Sequence, residues 1–314
     1  MTDSARPIRP PPSNIPPVLI QVIGAAAGGG FPQWNCGCSN CHEVRSGSIR
    51  TQARTQDSII VRGDGDAVVL VNASPDILQQ IQRTPALTPR KPRHSPIAAI
   101  VLTNGDMDHI VGLFSLRESY PLHIYATAPV WRGLSERNAM FRTLQRFDGQ
   151  VTWHPLAIDT ATELPGGVTL TPFAVPGKLP VHLERDTTPS AEDNIGLEFS
   201  AGGKRAVYCA AAGTIADYVA RFAGADCVLF DGTFWSSDEL VRQGLSKARA
   251  ESMAHLPIGG ENGSLVRLAH LQAGRKIFTH INNSNPVLLD DSPERAQVAA
   301  AGWEVAYDGM EIDV

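Results

Sequence analysis

A chain of 314 residues with 43% hydrophobic content has apolar mass for one large domain or two modest ones. Its formal charge of −5, with no basic stripe, argues against a nucleic-acid-binding function. No apolar run nears the roughly 20 residues that cross a bilayer, so no membrane span is expected.

The chain opens on Pro7, Pro10, Pro11, Pro12, Pro16 and Pro17 and lacks the apolar core of a secretory signal. Residues 1–17 therefore read as a proline-rich disordered arm. After residue 17 no linker is long or biased enough to mark a boundary, so 18–314 read as a single domain. An apolar strand over 18–23 runs into the glycine-rich stretch 24–30, which lets backbone approach a functional edge. The spacing of those glycines matches neither a dinucleotide nor a P-loop cradle.

Cys36, Cys38 and Cys41 then place three thiols within six residues. Zinc takes four tetrahedral ligands and favours sulfur, so one loop can supply three corners. The fourth ligand is left open between His42 and a distant residue. An odd total of five cysteines, three of them clustered, favours reduced thiols in a cytoplasm over a disulfide framework. Cys209 and Cys227 lie in apolar runs and are expected in the core.

Strand-like segments at 58–61 and 67–71 flank Gly63-Asp64-Gly65-Asp66 as a hairpin. Ser74-Pro75-Asp76 caps a helix with Ile77, Leu78 and Ile81 on one face. Further strands are expected at 97–102, 123–126, 168–173, 196–200, 205–208, 227–230 and 276–279, with helices near 110–119, 214–223, 263–272 and 293–301. Hairpins in both halves with helices between them predict an α/β fold of two mixed sheets face to face, covered by helices.

In such a fold polar residues at strand ends meet at one edge. Three sets qualify: Asp106, Asp108 and His109 after the 97–102 run, Asp231 after Val228-Leu229-Phe230, and His280 after Ile277-Phe278-Thr279. Singly, each also fits a solvated turn or a helix cap. Together they fit a first-row metal site better than three coincidences. His255, before Leu256-Pro257-Ile258, and His182 are candidates for the rim of the same site. His94, His123, His154 and His270 read as surface or structural residues.

The stretch 24–41, Gly-Ala-Ala-Ala-Gly-Gly-Gly-Phe-Pro-Gln-Trp-Asn-Cys-Gly-Cys-Ser-Asn-Cys, resembles the opening of the pyrroloquinoline quinone (PQQ) biosynthesis protein B family. Segments 106–118, 175–178, 231–235, 255–258 and 280–286 resemble its later blocks, so the likeness runs from about residue 18 to the end. The resemblance implies a metallo-β-lactamase-like αββα sandwich with a metal cleft at one edge, and a structural zinc on Cys36, Cys38 and Cys41.

Against the superfamily's HxHxDH motif, Asn104 and Asp106 replace the first two histidines. Lys178 follows Pro176-Gly177 where another would stand. A lysine there repels a second divalent ion, so one metal is expected. The remaining donors, His109 and His280 with Asp108, Asp231 and Asp106, suit Fe(II), with zinc acceptable as purified. The implied activity is an iron-dependent hydroxylase, an oxidoreductase acting with dioxygen on a Glu-Tyr crosslinked PQQ precursor. His255 and Lys178 would position the phenol or shuttle protons. Two alternatives stay open: a zinc-dependent hydrolase of the same fold, and a non-catalytic carrier for transport of PQQ or its precursor. Basic residues in the cleft, from among Lys178, Arg185 and Arg54, would favour the carrier. Beyond small molecules, a homodimer and contact with other PQQ-pathway proteins are the compatible partners.

Overall fold

The structure, a computed structural model, describes residues 18–48, 50–185 and 187–314; the proline-rich arm expected over 1–17 lies outside the described residues. Strands β1 (Leu19–Gly24), β2 (Ser58–Arg62) and β3 (Val68–Val71) are antiparallel neighbours. β4 (Ile97–Val101), β5 (Leu122–Ala126) and β6 (Val151–Pro155) continue that sheet in parallel from β3. The second sheet begins with the antiparallel β7 (Thr162–Leu164), β8 (Val168–Ala174), β9 (Ile195–Ala201) and β10 (Lys204–Cys209). It becomes parallel through β11 (Cys227–Asp231), β12 (Arg275–Thr279) and β13 (Glu304–Val305). The last strand, β14 (Glu311–Asp313), returns to the first sheet and pairs antiparallel with β1.

Near-continuous apolar runs mark strands buried on both faces, and the two-residue period of a strand sorts their side chains. Ile59, Val61, Val69 and Val71 of the first sheet share one core with Ala206, Tyr208, Cys227 and Leu229 of the second. The alternate residues Ile60, Val68 and Leu70 face outward into a second core with Ile77, Val130 and Leu134. Val207, Cys209, Val228 and Phe230 face outward into a third with Leu268, Val298 and Trp303. The result is the expected sandwich, with two sheets inside and helical layers outside. Cys209 and Cys227 are in the core, as expected. Among the described residues no helix is long and apolar enough to cross a membrane.

The helical segments depart from their expected extents. The helix expected from 214 is a 3-10 helix, Asp217–Phe222, because Ala216 is extended and Gly224 sits at φ 69°, leaving six residues to coil. Near 263–272 a single turn, Ser264–Arg267, forms, and 110–119 becomes a turn at Met107–Ile110 followed by the 3-10 helix Val111–Leu116. The helix Pro293–Ala300 forms as expected, with Ser292 accepting from Arg295 N. Leu78, expected on the buried face of Ile77–Arg83, is 51% exposed; Gln80 is buried there and bonds Thr55, Gln56 O and Ser74. β6, β7, β13, β14 and the helix Ala128–Ser135 were not anticipated.

One contact sets the approach of the Met107–Leu116 segment to β3. Ala73 N donates to His109 O at 2.7 Å, and Gly112 N donates to Ala73 O at 2.8 Å. A Cβ at Gly112 would lie 2.1 Å from Ser74 O and 2.7 Å from Ala73 O. Gly112→Val is therefore expected to cost roughly 3 kcal/mol through backbone displacement, read as a lowered midpoint of chemical unfolding. An unchanged midpoint would show that this approach is not tight.

Candidate metal centre

The parallel strands of both sheets deliver their carboxyl ends to one edge, where open α/β sheets gather functional groups. Beyond β4, Asp106 precedes the single turn Met107–Ile110, which carries Asp108 and His109. β11 ends on Asp231, and β12 leads directly into His280, held at φ 57°. Ala26 bridges both Gln56 and Ile281, which brings the glycine-rich segment alongside. A Cβ on Gly28 would lie 3.2 Å from Asp108 Oδ2, so a side chain there would crowd the carboxylate.

Asp108 Oδ2 lies 3.2 Å from His280 Nε2 and 3.7 Å from His109 Nε2. Donor atoms of Asp108, His109 and His280 lie within 4.8 Å of one another, and so do those of Asp231, His255 and His280. Both histidines of the first group are buried, whereas the Asp108 side chain is 17% exposed, toward the opening. Burial opposes a charge on Asp108, yet His109 and then His280 hold its carboxyl well below the usual range. Burial likewise opposes charge on His280, but the bond and charge of Asp108, with Asp57 and Asp231 behind, raise it to about 9. The pair is a proton-filled version of a cation site.

Asp231 is fully buried, and both its oxygens are engaged. Oδ1 accepts from Thr233 N at 2.9 Å and from its hydroxyl at 2.6 Å; Oδ2 accepts from Ala212 N at 2.9 Å and meets His255 Nδ1 at 2.7 Å. Burial works against its charge, and His255 restores it, leaving the carboxyl lowered. Asp106 lies outside both groups; burial and then Asp108 raise its carboxyl, while Lys178 acts in the other direction. Lys178, His182, His255 and Asp106 all line a cavity of about 390 Å³ over Asp108, His109 and His280. Arg54 does not; it is buried against Ala306 O and Gln52 O. Arg185 is also absent from the lining.

Several residues at the site went unread in the sequence. Thr103 Oγ1 is 2.9 Å from His109 Nδ1, and Thr233 Oγ1 is 2.8 Å from His280 Nδ1. Asn72 accepts from Thr103, and Asp57 accepts from Tyr208 and Thr279 beneath the histidines. Isolated hydroxyls and amides carry no spacing signature; only their adjacency to the motifs at 104–109 and 231 could have marked Thr103 and Thr233.

The sulfurs of Cys36, Cys38 and Cys41 lie within 4.8 Å of one another, and His42 is outside that group. Burial, followed by the neighbouring sulfurs, pushes the Cys38 thiol up to about 12, so three thiolates together need a cation. Asn283 Nδ2 lies 3.4 Å from Cys41 Sγ and 3.6 Å from Cys38 Sγ, and Asn40 Nδ2 donates to both Asn283 O and Asn285 O. The thiol cluster thus grips the segment that follows His280.

Residues 68–281 match the model of a beta-lactamase superfamily domain. The chain is 49% identical over 301 residues to a coenzyme PQQ synthesis protein B of Cupriavidus necator, covering 93% of this chain and 98% of that protein. It is 45% identical over 300 residues to the protein of the same name from Methylorubrum extorquens, covering 94% and 99%. The crystal structure of Zn(2+)-bound PqqB from Methylobacterium extorquens superposes with a TM-score of 0.90 at 44% identity, over 94% of this chain and 100% of that one. A diphosphatase of the PhnP family shares the fold alone, at TM-score 0.68 and 24% identity over 96% and 98%. With near-complete coverage at this identity and a two-sheet sandwich that superposes on a member's crystal structure, the chain belongs to the coenzyme PQQ synthesis protein B family.

Proposed function

We propose that this chain is an Fe(II)-dependent hydroxylase that oxidises a tyrosine-derived, Glu-Tyr crosslinked amino acid on the way to PQQ. The observation that carries this reading is the donor set at one cavity: two imidazoles and one carboxylate within 4.8 Å, open on the side of the cleft. Asp108, His109 and His280 would hold the ion. When bound, Fe(II) supplies electrons toward dioxygen, chemistry that no side chain here provides. Residues 18–314 act as one unit in this reading, because the donors come from both sheets.

The remaining groups take roles that their contacts suit. Asp231, with both oxygens engaged, is assigned to holding His255 rather than to ligation. His255 Nδ1 donates to that carboxylate, which leaves Nε2 to accept a proton from a phenol in the cavity. Lys178, a cation on the cavity wall, would orient a carboxylate or phenolate of the substrate and, by its charge, disfavour a second metal. A zinc hydrolase is the competing reading, favoured by the zinc in the related crystal structure.

Anaerobic reconstitution with Fe(II) or Zn(II), followed by oxygen uptake with a tyrosine-derived precursor, separates the two. Substrate-dependent uptake with Fe(II) only, lost in His109→Ala, is expected; precursor cleavage with Zn(II) and no uptake would favour the hydrolase.

A metal bound by His280 must displace the proton that Asp108 stabilises on that ring, whose pKa is raised to about 9. Affinity for Co(II) should therefore strengthen about tenfold per pH unit from 7 to 9 and level off above that. Chelator-competition titrations read this directly, and a flat profile over that window would remove His280 from the ligand set.

Zinc on the three thiols is proposed as a separate, structural site. Cys41→Ser should lower bound zinc by one equivalent and stability by about 2 kcal/mol or more, measured by elemental analysis and thermal unfolding. Full zinc content in that variant would argue against the site.

A further inference from the structure

The two histidines share a feature that ligation alone does not require. Each has its Nδ1 against the hydroxyl of a buried threonine, and each hydroxyl also contacts an oxygen that can only accept. At β4, Thr103 N donates to Asn72 Oδ1 at 3.1 Å. A backbone N–H is an unambiguous donor, so it fixes which end of the Asn72 amide faces Thr103. Thr103 Oγ1, 3.0 Å from that same oxygen, has to give it its single proton. Only lone pairs then remain for His109 Nδ1 at 2.9 Å, and that nitrogen must carry hydrogen.

The other half repeats the logic with a carboxylate. Thr233 N and Thr233 Oγ1 both meet Asp231 Oδ1, at 2.9 and 2.6 Å. An ionised carboxylate accepts only, so the hydroxyl proton is committed there. His280 Nδ1, 2.8 Å from Thr233 Oγ1, is again obliged to donate. Thr103 and Thr233 are 3% and 2% exposed, so water does not offer either ring an alternative partner.

We propose that Thr103 and Thr233 are positioning residues that hold hydrogen on Nδ1 of His109 and His280, so that Nε2 of each, on the side of Asp108, is the nitrogen offered to an ion. The order of donors runs from the backbone outward, so the strand ends themselves determine which nitrogen is offered to an ion. This is the task that outer hydrogen bonds perform for metal-binding histidines, where their loss costs about 10- to 100-fold in affinity. The lock rests on the metal reading above for its purpose but not for its geometry.

The test uses the full chain with 15N-labelled histidine. Nitrogen–proton correlation spectra of the metal-free protein report which ring nitrogens carry hydrogen. Both rings should carry hydrogen on Nδ1 in the parent protein, His280 with a second proton on Nε2 toward Asp108. Thr103→Val should release His109 to a mixture, and Thr233→Val should leave His280 as the Nε2–H ring that Asp108 favours, with Thr103→Ser restoring the parent state. Co(II) affinity, read from its visible absorption, should fall about 10- to 100-fold in each valine variant and recover in Thr103→Ser.

A His109 or His280 ring without hydrogen on Nδ1 in the parent protein would overturn the proposal, and that spectrum needs no variant to fold. Unchanged tautomers in folded valine variants would overturn it equally. Released tautomers with unaltered Co(II) affinity would leave the lock standing and overturn instead the assignment of His109 and His280 as ligands.

Discussion

Asp57 has no access to solvent, yet it receives hydrogen bonds from two strands of the opposite sheet: the Tyr208 hydroxyl at Oδ2 and Thr279 Oγ1 at Oδ1, the latter at 3.0 Å. A buried carboxyl without partners is costly, and burial pushes this one up. Its two bonds therefore specify how β2 of one sheet faces β10 and β12 of the other. Tyr208 in turn meets Asn72, which holds Thr103 beneath His109, while Thr279 is followed at once by His280. Both imidazoles are thus referred to a single point between the sheets. Side chains on separate sheets reach a common geometry because the sheets themselves are pinned there.

Much of the framework was readable from apolar runs. The central strands are buried on both faces, so their sequences stay apolar for four to six positions and end sharply in polar turns. β6, β7, β13 and β14 lack that mark: Thr152, Glu163, Glu304, Glu311 and Asp313 are exposed or partly exposed edge positions, and pairing with a neighbour, not composition, makes them strands. Leu78 misled for a related reason. A helix face is chosen by what the neighbouring loop offers, and here Gln80 has three partners inside while Leu78 has none it needs. At the site, charged groups ending apolar runs stood out, namely Asp108, His109, Asp231 and His280. The cysteine trio was legible from its spacing, whereas the reading of Lys178 came from family likeness. Asn72, Thr103 and Thr233 were invisible because their roles depend on which atom faces which.

The cysteine cluster and the cleft are not independent pieces of architecture. Asn40 and Asn283 tie the thiol loop to residues 283–285, and Asn285 Nδ2 reaches back to Gly232 O at 2.9 Å and Thr233 O at 3.3 Å. Glu239, which burial raises to about 7, bonds Ser284 and Trp235 N and adds a second tie between the same two loops. His280 holds a left-handed backbone that a non-glycine residue adopts at some cost. Its conformation is supported from both sides, by the bridge to Ala26 at Ile281 and by this polar net downstream.

The pairing of β14 with β1 joins Leu19 to Asp313, residues near the two ends of the described chain. During synthesis the β1 edge that pairs β14 therefore stays open until β14 has been added. The cleft is similarly late, since 172 positions separate Asp108 from His280. Contacts of such sequence separation form slowly, after the loops between them have closed. The donor group of Asp108, His109 and His280 is therefore assembled only after His280 has been added, and a shorter nascent chain lacks it.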